Sequence, residues 1–259
     1  MKRPTVRHPK NGTHEFQKRV YRNLLSSKDR VGFRVLVQET DLYVQALKPL
    51  ADITRELILK HRGYIEAYIQ THPEFLETLK PWRVSGPAPV IVCDMAAAGQ
   101  KAGVGPMAAV AGAIAEHVGA DLLKYTDEVV VENGGDIFLK TEDPVTMGIF
   151  AGTSPLSMRM GLRIKSKEKP VGVCTSSGTV GHSLSLGKAD AICVVSDSCP
   201  LADAAATSVG NRLKSKDHIG SAIDFGKTID GVKGIVVIVG EAVGIWGDLE
   251  VVPLNLHEC

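Results

Sequence analysis

The stretch E-V-V-V-E-N-G-G-D-I-F-L (residues 128–139) decides the fold class of this chain. Two short apolar, β-branched runs flank a glycine pair, and Asn-Gly between such runs is the strongest short-range signal for a β-hairpin. Strands that outnumber crossover helices predict an α+β fold with a largely antiparallel or mixed sheet and flanking helices, and we expect segments 128–139, 171–175 and 191–197 to share one sheet. The further runs of strand length cover residues 147–150, 158–164, 171–174, 191–195 and 235–239.

Hydrophobic periodicity predicts the remaining elements. They are a hairpin (31–37 with 42–46), a long amphipathic helix (50–70), a short helix (73–79), a buried strand (90–93), a helix (106–117) that Gly119 ends with a left-handed cap, and a final hairpin (243–245 with 249–252). We expect residues 1–12 to be a flexible basic arm and residues 13–259 to form a single domain, with V-S-G-P-A (84–88) as the best candidate for an internal boundary.

The composition excludes several classes of protein. The 259 residues suffice to bury a sizeable core, and the net charge of +1 provides no field that attracts nucleic acid or an anionic membrane. No apolar segment is long enough for a signal peptide or a transmembrane helix. The five cysteines form no C-x-x-C pair, which is typical of buried or incidental thiols in a reducing compartment. These observations predict a cytoplasmic protein without a nucleic-acid or membrane partner.

A second informative stretch is S-C-P-L-A-D-A-A-A-T-S-V-G-N (198–211), which directly follows a strand-like apolar run. Ser198 can cap a helix here. Asp203 and Thr207 then project from one helical face a turn apart, and a carboxylate and a hydroxyl stacked in this way can offer two hard oxygen ligands to Mg²⁺ or Ca²⁺. The alternative is a capped, alanine-rich core helix whose polar residues bond to nearby backbone.

The residues Asn133, Gly134, Gly135 and Asp136 have two interpretations. They could form the hairpin turn, or they could form a bulge at which the paired glycines let a ligand lie against exposed backbone, with Asp136 directed at it. A glycine-rich run at residues 96–107 is a weaker candidate, for anion binding at a helix N-terminus.

The run C-T-S-S-G-T-V-G-H-S (174–183) combines hydroxyls and glycines at the end of a predicted strand. Amides and hydroxyls in such a loop can point at a phosphate, and the alternative is a solvated loop. Histidine titrates near neutrality, so His182 could transfer a proton, although a lone histidine is also a common structural residue. The predicted binding residues in this run are Thr175, Ser176, Ser177, Gly178 and Thr179.

Three segments far apart in sequence, residues 132–137, 174–183 and 200–207, are therefore rich in glycine or hydroxyls where a packed core prefers larger apolar side chains. If the three segments lay apart, each would reduce the packing of the core at a different place. If they lie together, they can form one anion-binding site. We expect them to converge on one cleft.

The runs E-N-G-G-D-I-F-L (132–139), C-T-S-S-G-T-V-G-H-S-L-S (174–185) and L-A-D-A-A-A-T-S-V-G-N (201–211) together resemble the ApbE-like superfamily. The chain looks most similar to a compact cytoplasmic branch of it found in anaerobic prokaryotes, and the resemblance extends to residues 72–76 and 102–116. The better-known relatives are magnesium-dependent flavin transferases, which cleave FAD and attach FMN to a threonine of a target protein.

The resemblance implies a role for each matching position. The metal-binding A-D-x-x-x-T helix corresponds to Asp203 and Thr207, and the G-G-D strand to Gly134, Gly135 and Asp136. The T-S-G loop corresponds to Thr175, Ser176, Ser177 and Gly178. His182 is the nearest counterpart of the histidine of the H-x-x-D-P motif, but S-L-S-L-G follows it and the Asp-Pro is absent.

Two functions follow from these observations. The first is a Mg²⁺-assisted transferase or hydrolase acting on FAD or a related dinucleotide, with His182 as the proton acceptor, an acceptor protein as a further partner, and a homodimer left open. The second is a non-catalytic flavin- or nucleotide-binding accessory protein, and the branch that the chain resembles implies a setting in sulfur assimilation and homocysteine formation. The metal pair Asp203 and Thr207 favours the first, and the missing Asp-Pro favours the second.

Overall fold

The computed structural model describes residues 29–176 and 189–254, and all strand pairs within these ranges are antiparallel. The strands are β1 (Val31–Val37), β2 (Thr40–Ala46), β3 (Val129–Asn133), β4 (Asp136–Lys140), β5 (Val145–Gly148), β6 (Met160–Ile164), β7 (Val171–Ser176), β8 (Ala191–Ser196), β9 (Val232–Val239), β10 (Ala242–Gly247) and β11 (Glu250–Pro253). The helices are α1 (Ala51–Thr71), α2 (Glu74–Glu77), α3 (Val90–Ala102), α4 (Val110–Leu122), α5 (Cys199–Gly210) and α6 (Ile219–Gly226).

Eight strands form one sheet in the order β1-β2-β3-β4-β7-β8-β9-β10, and β11-β6-β5 form a second, smaller sheet. The predicted α+β class is confirmed, and so is the shared sheet for segments 128–139, 171–175 and 191–197. The expected basic arm at residues 1–12 lies outside the described residues. Among the helices of the described ranges, none has both the length and the apolarity to cross a bilayer.

The large sheet is covered on both faces. Its helix-facing side contributes Val129 and Val131 to a core shared with the helices, whereas Val130 points to a second core against the small sheet. Because successive strand residues point to opposite faces, a strand buried on both sides must be apolar at every position. This explains why the run at residues 129–131 is continuous and not alternating.

The glycine pair at residues 134–135 forms the hairpin turn between β3 and β4. Gly134 and Gly135 have φ angles of 69° and 127°, which L side chains rarely adopt, and Asn133 pairs with Asp136 across the turn. The hairpin interpretation is therefore correct, and the turn ends with Asp136 at the first position of β4.

The predicted strand at residues 90–93 is wrong, because these residues form the first turn of α3. The β-branched run suggested a strand, but Ile91, Met95, Ala98 and Ala102 are buried at helical spacing. Packing of this face in the helical core overrides the local strand preference.

The predicted helix at residues 106–117 has different bounds, because a 3₁₀ turn covers Pro106–Ala109 and α4 then continues to Leu122. Gly119 lies inside α4 and does not end it. A Cβ at Gly119 would lie 2.2 Å from the Phe138 ring, so the glycine permits close packing of the helix on β4. The left-handed cap belongs instead to Gly103, with φ of 72°, at the end of α3. The glycine-rich run 96–107 is thus mostly helix and cap.

The predicted final hairpin is also wrong. β10 pairs with β9 at the edge of the large sheet, whereas β11 crosses to the small sheet and pairs with β6. The connection carries Leu249, whose side chain fills the space above Gly234, where a Cβ would lie 2.4 Å from it. The chain therefore changes sheets where an apolar side chain can be buried between them.

Candidate functional site

Asp136, Cys174 and Asp203 form a compact group, here called the Asp-Cys-Asp cluster. Asp136 and Cys174 are direct partners in the register of β4 and β7, so their side chains leave the sheet on the same face. Asp203 reaches the same place from α5, and one ligand atom from each residue lies within 4.8 Å of the other two. Residues from three separate parts of the sequence therefore meet at one point between sheet and helix.

Local sequence explains why α5 lies over this point. The hydroxyl of Ser198 accepts a hydrogen bond from the Leu201 N–H at 3.4 Å, which caps the helix as predicted. Gly172 on β7 lets the first turn approach the sheet, because a Cβ there would lie 2.5 Å from the backbone nitrogen of Cys199. Within α5 every residue except Asp203 and Thr207 is buried. The predicted face with both residues a turn apart is therefore the one face of α5 that is accessible.

The N-termini of α4 and α5 cap each other. Asp203 Oδ2 accepts a hydrogen bond from the Gly112 N–H at 3.0 Å, and Glu116 Oε2 accepts one from the Cys199 N–H at 2.6 Å. Helix N-termini present amides without intrahelical partners and a positive dipole end, so a carboxylate is stabilised at each. Gly112 permits the close approach, because a Cβ there would lie 2.4 Å from the Cys199 carbonyl oxygen.

In the cluster, simultaneous ionisation of the two carboxyls and the thiol is strongly unfavourable. Burial, together with the nearby charge of Glu132, raises the pKa of Asp136 to about 7. Burial and the charge of Asp136 raise the pKa of Asp203 well above its ordinary value, although the Gly112 and Ala111 amides oppose this shift. The pKa of the Cys174 thiol is also raised well above its usual range, by burial and then by the two carboxylates.

No positive charge compensates the cluster within the described ranges. Neither Asp136 nor Asp203 has a Lys, Arg or His ion-pair partner there. Asp136 is 8% exposed, and its buried Oδ1 has no hydrogen-bond partner among the described residues. A buried carboxylate oxygen without a partner is costly, and either a proton or a bound cation would satisfy it. The two carboxylates could bind a divalent cation such as Mg²⁺, which prefers oxygen ligands.

The other predicted site residues within the described ranges lie in the β3–β4 hairpin and at the end of β7. The Asn133 side-chain amide donates to the Ala111 carbonyl at 3.0 Å and joins the hairpin to α4, while the Gly135 carbonyl accepts from the Thr175 N–H at 3.0 Å. The Thr175 hydroxyl lies on the opposite face of the sheet, where it bonds to the Cys193 thiol. Ser176 is half-buried at the end of β7.

The predicted residues Ser177, Gly178, Thr179 and His182 lie outside the described residues. Over the described parts, the segments 132–137, 174–176 and 200–207 meet around the Asp-Cys-Asp cluster.

Sequence reasoning missed two contributors to this site, Cys174 and Glu116. The cysteine spacing predicts only a buried or incidental thiol at Cys174, although its place one residue before the hydroxyl run, on the same strand face as Gly172, is a usable signal. Glu116 had no such signal, because its role depends on the packing of the N-terminal half of α5 against that of α4.

Comparison with known proteins identifies the family of this chain. The family described as AbpE bacteria matches residues 22–240. The UPF0280 protein of Methanocella arvoryzae is 44% identical over 217 residues, which cover 82% of this chain and 87% of that protein. The UPF0280 protein of Methanococcus aeolicus is 44% identical over 203 residues, which cover 76% of this chain and 82% of that protein.

Solved structures resemble the fold. The apo form of the flavinyl transferase ApbE of Pseudomonas stutzeri has a TM-score of 0.55 at 12% identity, over 84% of this chain and 94% of that chain. The ApbE protein of Thermotoga maritima has a TM-score of 0.52 at 12% identity, over 83% of this chain and 96% of that chain. At such low identity the likeness establishes a common fold, and function has to be argued from the site.

Proposed function

This chain belongs to the AbpE bacteria family, and on that premise we propose that it is a divalent-cation-assisted transferase or hydrolase acting on FAD or a related flavin dinucleotide. The observation that carries the proposal is the Asp-Cys-Asp cluster, whose carboxylates have no cationic partner, and whose Asp136 Oδ1 has no hydrogen-bond partner, in the part of the chain that the structure describes. Buried carboxylates close to one another lower the stability of a fold, and such groups are typical of functional sites, where a metal ion can neutralise them.

The residues of the cluster would hold the cation, with Mg²⁺ as the ion that the resemblance implies. Asp136 and Asp203 would supply carboxylate oxygens, and Thr207 lies a turn from Asp203 on the same accessible face. When bound, the cation would neutralise negative charge on the pyrophosphate. The reciprocal caps of α4 and α5 fix Asp203 in place before any ligand arrives.

The remaining predicted residues have binding and proton-transfer roles in this proposal. The turn at Gly134 and Gly135 offers backbone close to the cluster, and in this proposal the run 176–179 offers amides and hydroxyls for phosphate oxygens. Thr175 is left out, because its N–H bonds to Gly135 and its hydroxyl faces the small sheet. His182 would accept the proton of the attacking hydroxyl, which belongs to water in a hydrolase or to an acceptor protein in a transferase.

The test is release of AMP from FAD by the purified protein, with Mg²⁺ and, in parallel, Zn²⁺. We expect AMP with the wild-type protein, none with Asp203→Asn, and unchanged release with the control Asp143→Asn, which alters an exposed carboxylate outside the site. Intact FAD in every reaction would contradict the hydrolase, which is the form of the proposed chemistry that needs no acceptor protein.

A second function is favoured by one observation, the sequence S-L-S-L-G after His182 in place of an Asp-Pro. It is a non-catalytic flavin- or nucleotide-binding protein. Saturable FAD binding in equilibrium dialysis, without AMP release under any metal, would favour this function over the first.

A further inference from the structure

The cluster contains one group that a magnesium site does not require, the thiol of Cys174. We propose that Cys174 is a metal ligand, and that the Asp-Cys-Asp cluster binds a thiophilic divalent ion of the zinc class in preference to Mg²⁺. This inference rests on the metal site of the proposed function and specifies which metal that site takes.

The geometry suits a single ion. Cys174 Sγ lies 4.0 Å from Asp203 Oδ1, and the three ligand atoms lie within 4.8 Å of one another. Zinc–sulfur and zinc–oxygen bonds of about 2.3 and 2.0 Å give a tetrahedral edge of about 3.5 Å. For Cys174 Sγ and Asp203 Oδ1 a contraction of roughly half an ångström therefore reaches ligating distance, and a small side-chain rotation supplies a movement of that size.

The carboxylates are already oriented for this role. Asp203 Oδ2 is held by the Gly112 N–H, which leaves Oδ1 as the oxygen nearest Cys174. Metal ligands are commonly fixed in this way by a hydrogen bond to their second polar atom. On the other side, Asp136 is more than nine-tenths buried and its Oδ1 has no described partner, so one oxygen is available without breaking any hydrogen bond.

The donor set decides the kind of metal. Thiolate is a soft ligand that selects zinc-class ions, while Mg²⁺ binds oxygen and avoids sulfur. On binding, the S–H bond of Cys174 breaks, the sulfur keeps the electron pair and forms the metal–sulfur bond, and the proton leaves to solvent. Two carboxylates and one thiolate make three protein ligands, and zinc sites with three protein ligands keep a position open for water or substrate.

A buried structural thiol is the competing explanation, and Cys193 provides the matched control. Both cysteines are buried, and both lie in the central strands of the large sheet. Cys193, however, faces the small sheet and bonds to the Thr175 hydroxyl, away from any carboxylate of the cluster. Serine at either position changes one sulfur to oxygen in the core and alters the hydrogen bonds of the thiol, which Cys174 makes with the carboxylates and Cys193 makes with Thr175. A metal-dependent difference between the two variants therefore reports a ligand role.

The experiment uses Co²⁺ as a spectroscopic substitute for Zn²⁺, in the full chain with Cys93 and Cys259 replaced by serine. We expect Co²⁺ to produce a near-ultraviolet thiolate-to-metal charge-transfer band that Cys174→Ser abolishes and Cys193→Ser retains. Calorimetry should show tighter binding of Zn²⁺ than of Mg²⁺. Cys174→Ser should weaken Zn²⁺ binding by more than the roughly 10- to 100-fold that is typical when a group hydrogen-bonded to a metal ligand is lost, while leaving Mg²⁺ binding within about threefold.

The outcomes separate this inference from the proposed function. Co²⁺ binding that Asp203→Asn abolishes, without a thiolate band, would overturn the role of Cys174 and leave the metal site standing. No binding of Mg²⁺, Co²⁺ or Zn²⁺ would overturn the metal site itself. If Cys174→Ser fails to fold by circular dichroism, sulfur scattering in the X-ray absorption spectrum of the zinc-loaded wild-type protein decides the question, and its absence refutes the inference.

Discussion

Replacing Asp136 with asparagine should stabilise the metal-free protein at alkaline pH. Burial raises the pKa of this carboxyl from 3.8 to about 7. Between these two values the native state holds a proton that the unfolded chain has released, so the free energy of unfolding falls as the pH rises through that window. The loss is complete above pH 7. Asparagine removes the charge and with it this pH-dependent loss.

The magnitude follows from the shift. About three pKa units at 1.36 kcal/mol each correspond to about 4 kcal/mol of native-state penalty above pH 7. An imperfectly paired amide in the same place costs about 1–3 kcal/mol, which leaves a net gain of about 1–3 kcal/mol at pH 8. At pH 5 the native carboxyl is already protonated. The gain should therefore be smaller there by about 2–3 kcal/mol, which corresponds to the two pH units between pH 5 and the native pKa of about 7.

The assay is guanidinium unfolding in the presence of EDTA at pH 5 and pH 8. Asp143→Asn is the control, because this exposed carboxylate should give the same small change at both pH values. The reasoning is refuted if Asp136→Asn changes the free energy of unfolding equally at pH 5 and pH 8, or lowers it more at pH 8. The first result would mean that the pKa of Asp136 is not raised in the native state, and the second that the ionised carboxylate has a stabilising partner there.

Two further predictions follow from named contacts. Asp203→Ala should abolish divalent-metal binding in calorimetry and Thr207→Ala should weaken it less, because a carboxylate contributes charge and a hydroxyl only a dipole; equal affinity of wild type and Asp203→Ala would remove the site. Gly119→Ala should lower the free energy of unfolding by about 1–3 kcal/mol, because its Cβ would lie 2.2 Å from the Phe138 ring. Gly63→Ala, also in a helix but with open space around it, should raise that free energy by about 0.5–1 kcal/mol in the same denaturation experiment, and the reverse order would contradict the packing.

Much of the fold could be predicted because it depends on local signals. The hairpin at residues 129–140 follows from β-branched runs around a glycine pair, and α5 follows from Ser198 and the alanine-rich run behind it. The face that carries Asp203 and Thr207 follows from helical geometry alone. In each case the residues that determine the structure are neighbours in sequence, so their preferences can be read without knowing the rest of the chain.

The tertiary structure decided what depends on distant partners. Residues 90–93 are helical because their apolar face is buried in the helical core. β11 pairs with β6 in the small sheet and not with β10. Cys174 gained its place in the cluster from the register that sets it opposite Asp136, and from α5 bringing Asp203 above both. Packing and strand register join segments separated by tens of residues. Local preference cannot specify such pairings, because many alternative partners satisfy it equally well.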